Sequence, residues 1–349
     1  MNNAELKTHF YKRFNSEGST LVFAQSGLPV ALMGRLDFDV MPSISCCLSM
    51  RVRAIVGRIG SRSVTITSTG SDMRRVYELD RADSRDRISR VIKRAEGLNL
   101  LGAELLTDSN IPPAFDPHIT YTSAVCKAIL EISGCAVPDA ERARLCAADN
   151  EKSAYITEFV SESGYCVYNN GVKFMRLPLP MTGCKFIIAA VKETSGLLSS
   201  KNIQKTYAAL KKIFPHIASF DDITDEMLET SALILKSYSM KTCARHLVSE
   251  CKRTKAAARL LRGCNIKGFA ELMNESFLSQ KHLCADNDPG VFLCDELYAQ
   301  NGVLGVRMCE QGVIALVREE NCDSILTDVS MTYEREFGSP PVLCVADTV

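Results

Sequence analysis

Ala244-Arg245-His246-Leu247-Val248-Ser249-Glu250, with Arg253 three residues on, is the stretch from which the rest of the chain is read. Ala244, Leu247, Val248 and Cys251 fall at i, i+3, i+4 and i+7, the spacing of one face of a long helix. Downstream, Phe269 to Leu278 is also helical. Val303–Met308 and Gly312–Val317 then read as two strands, and Glu310-Gln311-Gly312 between them as a tight hairpin of about two to four residues. Thr332–Phe337 is a helix end and Val342–Val345 a last strand. Upstream lie a helix over Ser199–Ile213 and a buried strand over Phe186–Val191.

The first half mixes the same two periods. Ser19–Ala24 and Val30–Met33 are apolar runs flanking Gly27. Val52–Val56 and Ser63–Ser68 are β-branched and joined by Gly57-Arg58-Ile59-Gly60, which predicts a hairpin. Ile88, Val91, Ile92 and Ala95 return to helical spacing, with Asp83 to cap the start and Gly97 the end. Pro112-Pro113 and Pro117 break the chain before a buried helix over Ser123–Ile132, ended by Gly134. Pro138-Asp139 opens another helix through Ala148. Val167–Leu179 is strand-like and ends in Pro178 and Pro180, so a domain boundary is expected there, giving domains over residues 1–180 and 181–349. Strands and helices interleave in both halves, so the class is α/β or α+β.

Composition narrows the function classes. The 349 residues suggest about two domains. Lys+Arg 41 balances Asp+Glu 41, which argues against non-specific nucleic-acid binding and gives no basic face for an acidic membrane. The longest apolar run, Phe186 to Val191, is far short of the about 20 residues that span a bilayer. Met1-Asn2-Asn3-Ala4-Glu5-Leu6-Lys7 has no apolar h-region, so no signal peptide is expected. The 15 cysteines include no C-x-x-C, and the histidines at 9, 118, 216, 246 and 282 show no zinc spacing. Reduced thiols in a cytoplasmic protein, with no metal site, are expected.

The stretch from Ala244 to Glu250 with Arg253 resembles the "ARHVVTENxR" helix of galactokinases. Glu271-Leu272-Met273-Asn274-Glu275-Ser276 with Ser279 resembles their "LMNESHxSL". Gly302-Val303-Leu304-Gly305-Val306-Arg307-Met308 is similar to "GVxGARM", Val313–Val317 to "VVALV", and Ala148-Asp149-Asn150-Glu151 to "AENE". Ala31 to Arg35 stands where "APGR" opens the sugar signature, and the order is collinear from about residue 20 onward. The chain is thereby identified with the galactokinase branch of the GHMP small-molecule kinases. The resemblance implies a ribosomal-S5-like N-terminal lobe, a ferredoxin-like C-terminal lobe, and ligands in the cleft between them. It also implies that the strand over residues 342–345 returns to pair with the N-terminal lobe. The implied activity is transfer of the ATP γ-phosphoryl group to galactose with Mg²⁺, by positioning and charge stabilisation.

Each chemical motif departs from that pattern. The phosphate loop "PxGxGLSSSA" is replaced by Pro112-Pro113-Ala114-Phe115-Asp116-Pro117-His118, and only Thr122-Ser123-Ala124 survives as nucleotide-binding candidates. Glycine-rich loops cradle phosphate with backbone N–H groups, which prolines lack and Asp116 opposes by charge. Thr122 or Ser123 serves equally as a helix N-cap. After Met308, "TGAGFGGC" is cut to Cys309-Glu310-Gln311-Gly312. The sugar loop runs from Gly34-Arg35-Leu36-Asp37-Phe38-Asp39 straight into Val40-Met41-Pro42. The resemblance gives Arg35 the charge-stabilising role and Asp37 or Asp39 the sugar contact; a strand-end turn with solvated Asp is the plain alternative.

The family's catalytic carboxylate in "GIMDQF" aligns with Glu158, in Ile156-Thr157-Glu158-Phe159, if small deletions are allowed. Ungapped counting gives Ser161, and Glu162 lies four residues from Glu158 on the same expected helix. A solvated acidic helix face is the structural alternative. Two outcomes follow: a galactokinase-family protein impaired in catalysis, binding sugar and only weakly nucleotide, or an active sugar 1-kinase using ATP and Mg²⁺ through Arg35 and Glu158.

Overall fold

The computed structural model describes residues 1–14, 20–81, 84, 86–148, 150–191, 199–235, 237–285 and 287–349. They divide into two compact units, Met1–Pro29 with Leu48–Val160, and Val30–Cys47 with Ser161–Val349. A single cut near residue 180 is thus replaced by a discontinuous division. The reason lies in two strands, β1 (Leu21–Met33) and β2 (Ser43–Arg58), of 13 and 16 residues. At about 3.3 Å per residue a strand of that length serves two units in turn.

The first unit also holds α1 (Asn3–Phe14), β3 (Ser63–Ser68), β4 (Arg75–Glu78), α2 (Arg87–Arg94), β5 (Ala103–Ser109), α3 (His118–Ile132), α4 (Asp139–Cys146) and α5 (Lys152–Val160). The hairpin expected between β2 and β3 does not form. Instead β5 lies between them, antiparallel to β2 (Ile55 opposite Leu106) and parallel to β3 (Ile66 opposite Leu105). A parallel pair needs a crossover, which the segment carrying β4 and α2 supplies. Gly102 makes the close approach possible, since a Cβ there would stand 1.7 Å from the Ser61 carbonyl oxygen. Leu6 and Phe10 of α1 bury against Ile55 and Leu106. The cap of α2 is Asp86, whose carboxylate accepts the Ser89 N–H at 2.9 Å; Asp83 lies outside the described residues. The prolines do end the preceding loop, but α3 begins at His118, five residues before Ser123.

The second unit contains β6 (Tyr165–Asn169), β7 (Phe174–Pro178), β8 (Cys184–Ala190), α6 (Ser200–Ile213), α7 (Asp225–Ile234), α8 (Tyr238–Arg262), α9 (Ile266–Lys281), α10 (Pro289–Ala299), β9 (Val303–Cys309), β10 (Gly312–Arg318), α11 (Cys322–Phe337) and β11 (Val342–Ala346). The stretch read as one strand over Val167–Leu179 is a hairpin, β6 against β7, whose turn holds Gly171 at φ +84. A four-stranded sheet runs β11-β8-β10-β9. The last strand therefore pairs with β8, Cys344 opposite Ile188, and not with the N-terminal lobe. The β9–β10 turn is a two-residue hairpin, within the expected two to four, with Cys309 opposite Gly312.

One core joins that sheet to α9, α10 and α11 through Phe277, Leu293, Leu297, Ile325 and Val329. A second joins α6 and α8 through Ile203, Leu210, Leu247 and Val248, and takes in Phe38 and Met41. The free edge of β9 is closed by side-chain amides of α9. Asn274 bonds the Leu304 carbonyl (3.1 Å) and the Val306 N–H (2.9 Å), and Gln280 bonds both backbone groups of Met308 (3.1 Å each). All 15 cysteines are free thiols. Among the described residues no helix is long and apolar enough to cross a membrane.

Candidate functional site

In the first unit, the segment that the resemblance aligns with a phosphate loop is the turn before α3. Phe115 is buried, and its N–H donates to the Pro112 carbonyl at 3.0 Å, which folds the turn back on itself. This brings Asp116 over the helix start. Its Oδ1 accepts the His118 backbone N–H at 3.1 Å, and its Oδ2 lies 2.5 Å from His118 Nδ1. The other ring nitrogen, Nε2, lies 3.5 Å from Glu151 Oε1. Glu151 Oε2 in turn takes Arg87 at 2.5 Å and the Ala148 N–H at 3.1 Å. Burial alone would lower the His118 pKa, but the two carboxylates outweigh it and raise it. Burial likewise opposes ionisation of Glu151, yet His118 and Arg87 hold it down at about 2. Asp116 is lowered, first by its hydrogen bond from His118. A cavity of about 430 Å³ beside this turn is lined by Ser68, Ser71, Arg75, Asp116, His118 and Tyr121.

Thr122 and Ser123 do not cap α3. Both are buried one turn inside it, where the Thr122 hydroxyl donates back to the His118 carbonyl at 2.7 Å and Ser123 Oγ has no hydrogen-bond partner. Backbone N–H groups at that depth belong to the helix ladder, so these residues offer an incoming anion no free main-chain donor.

Glu158 is in α5 but not on a solvated face. Its side chain is 1% exposed and its Oε1 lies 2.8 Å from Lys127 Nζ of α3. Its Oε2 is buried without a hydrogen-bond partner. Glu162 falls beyond the end of α5, is exposed, and pairs with Arg176 at 2.8 Å within the second unit. Ser161 lies between them, its hydroxyl buried and without a partner.

In the second unit, Arg35 and Asp37 are brought together. The guanidinium grips the carboxylate through two bonds, Nε to Oδ1 at 2.7 Å and Nη2 to Oδ2 at 2.6 Å, the strong bidentate form of this pair. The Ser200 hydroxyl donates to Asp37 Oδ2 at 2.6 Å. Burial works against both charges, but the pairing raises the Arg35 pKa and lowers that of Asp37. Glu310, from the shortened β9–β10 turn, accepts the Leu36 N–H at 2.6 Å. Burial, then the neighbouring Asp37, pushes its carboxyl up. Asp39 is half-buried in the turn two residues further on.

Beneath this loop lies a group that motif reading treated as packing. Glu250 Oε1 accepts the Gly34 N–H and the Ser276 hydroxyl, each at 3.0 Å, and Oε2 accepts Arg253 Nε at 2.9 Å. Arg307 Nη2 lies 3.3 Å from Glu250 Oε1 and donates to the Gly34 carbonyl at 3.0 Å. Glu250 and Arg307 are each 1% exposed. Burial alone would neutralise Glu250, but Arg307 and then Arg253 hold it at about 2. His246 Nδ1 meets Ser279 Oγ at 2.8 Å, tying α8 to α9, and burial lowers its pKa to about 4. The one signal for this group was a lone Arg in an apolar strand and a lone Glu on a long helix, each of which needs a partner when buried. Ser200 and Glu310 carried no such signal.

No protein-family model matches the chain. It is similar to the galactokinase of Halalkalibacterium halodurans, 24% identical over 277 residues, which is 72% of this chain and 69% of that protein. It is also similar to that of Clostridium acetobutylicum, 30% identical over 176 residues, or 47% and 44% of the two chains. Among solved structures, the Lactococcus lactis galactokinase complexed with galactose superposes with a TM-score of 0.84 at 20% identity, covering 99% of this chain and 97% of that one. The Methanococcus jannaschii mevalonate kinase follows at a TM-score of 0.60 and 14% identity, covering 96% and 100%.

Proposed function

This is a galactokinase-like chain with the fold of the GHMP kinases, and from that premise we propose that it is impaired in phosphoryl transfer and binds sugar without a working phosphate cradle. The observation that carries the reading is Asp116. A helix N-terminus attracts anions because its first N–H groups are unpaired. Here the chain's own carboxylate takes the His118 N–H, and Pro112, Pro113 and Pro117 contribute no donors. ATP with Mg²⁺ does not fit these residues: the γ-phosphoryl would meet a carboxylate where glycine amides are needed. The sugar-facing reading rests on Arg35, Asp37 and Asp39, in the loop that follows β1. A cytoplasmic setting suits 15 free thiols.

Calorimetry with Mg-ATP tests this reading. Binding weaker than about 1 mM is expected, and a constant in the low micromolar range, near about −8 kcal/mol, would contradict it. An assay of ADP release with galactose and other hexoses covers the active alternative. In that case Arg35→Ala and Glu158→Gln should each abolish most turnover, the latter by about 10²–10⁴-fold if Glu158 is the general base. Robust wild-type turnover would defeat the impaired reading, and turnover indifferent to Glu158→Gln would exclude that residue as the base.

A further inference from the structure

We propose that Glu250 and Arg307 are positioning residues for the Gly34–Asp37 loop, fixing the orientation in which Arg35 and Asp37 are presented. The part that concerns ligand rests on the reading of this loop as sugar-facing. Both polar groups of the Gly34 backbone are held by charged side chains that solvent does not reach: the N–H by Glu250 and the carbonyl by Arg307. Buried backbone groups must be paired, and most are paired by other backbone. Here a helix and a strand far away in sequence reach in with one carboxylate and one guanidinium instead.

Any side chain at Gly34 is strained. The φ there is +68, and a Cβ would stand 2.2 Å from the Pro42 carbonyl oxygen. The chain therefore turns at a point pinned on both sides. One residue later Arg35 emerges to a half-buried position and forks onto Asp37, while Leu36 N–H is taken by Glu310 and Phe38 anchors the far end in the α6–α8 core. A buried ion pair is a poor source of stability, because desolvation cancels most of the attraction and a well-packed apolar set serves as well. What such a pair gives in return is direction: bonds to one particular N–H and one particular C=O. Glu250 is also shared by Arg253 and Ser276, so its carboxylate cannot swing without breaking several bonds at once.

The test uses NMR of the full chain, because the decisive groups touch neither proposed residue. The reporters are the Arg35 Nε–H, bonded to Asp37, and the Leu36 amide, bonded to Glu310, with the Leu316 amide in β10 as the reference for global opening. Arg307→Met and Glu250→Gln are expected to move the Arg35 Nε–H resonance and to speed Leu36 exchange about ten-fold relative to Leu316. Arg307→Lys should restore most of the difference. Ser279→Ala, which loosens α8 from α9 without touching Gly34, should leave both reporters alone. A lowered melting temperature with both reporters unchanged relative to Leu316 would overturn the proposal. If Arg307→Met and Glu250→Gln do not fold, Ser276→Ala decides: a few-fold faster Leu36 exchange supports the clamp, and none refutes it. Galactose titration adds a separate arm, with about ten-fold weaker binding expected for Glu250→Gln, or about 1.4 kcal/mol. If the wild type binds no galactose, the sugar-facing reading fails, while the two reporters still decide the positioning.

Discussion

The turn before α3 and the loop after β1 are each held by a carboxylate of the chain itself, in different ways. Each stands where the resemblance calls for an open, ligand-holding loop, and in each a carboxylate of the chain now occupies the donors. At α3 the carboxylate is Asp116, on a surface where His118 and Asp116 are 34% and 63% exposed. At Gly34 the closure is layered: Asp37 and Glu310 are half-buried above, and Glu250 and Arg307 are buried below. Charges that share solvent cost little to lose, whereas charges sealed from it cannot be left alone. The charge at the first region is exposed and can be changed at little cost in stability; the second is built into the packing of its unit.

The largest test of that contrast is Glu250→Ala, which strands Arg307 in the core and takes the partner of half-buried Arg253. A loss of about 3–5 kcal/mol in urea unfolding is expected, and a cost below about 1 kcal/mol would show that the pair is not sealed. Gly34→Ala, strained at φ +68 and against Pro42, should cost about 2 kcal/mol by the same measurement. Asp116→Asn should cost less than about 1 kcal/mol, since its ion pair is exposed. The same change, or Asp116→Gly, should tighten Mg-ATP binding several-fold by uncovering the helix N-terminus, an effect of up to about 1 kcal/mol. No gain would mean that the prolines, rather than the charge, close the site.

The smallest effect is a pH dependence. His118 has a raised pKa, so its contribution to stability is fully present below about 6.5 and is lost as pH rises through the folded value. Glu151, depressed to about 2, contributes above about 4.5 and loses that contribution as pH falls toward 2. Melting temperatures of wild type and His118→Gln should therefore converge above neutrality; a constant gap from pH 6 to 9 would separate His118 from its carboxylates.

How far the sequence could be read depends on the range of the forces involved. The helix over residues 244–251 and the tight turn at Gly312 were legible because periodicity and turn chemistry act over a few residues. So was the absence of glycine from residues 112–118, which needs only residue identity. The β2–β3 hairpin was misread because both strands carry the right residues and a good turn, but the long-range insertion of β5 outcompetes it. Helix α3 starts five residues before Ser123 because Pro117 takes the N-cap place and Asp116, one residue earlier, accepts the His118 N–H, so no cap is needed from Thr122 or Ser123.

What the sequence determined by itself, then, was composition-level and local: a balanced charge, an α/β alternation, a collinear set of segments, and a turn over residues 112–118 without glycine. Only the tertiary structure decided what those segments do. His246, Glu250, Asn274, Ser276 and Arg307 come from two helices and a strand, and no spacing in the chain shows that Glu250 and Arg307 meet at one backbone glycine, with Ser276 on the Glu250 carboxylate. Nor does it show that Glu158 is buried against Lys127 rather than exposed on a helix face. A buried charge is defined by the partner that makes its burial tolerable, and partners over 200 residues apart, such as Gly34 and Glu250, are chosen by the fold.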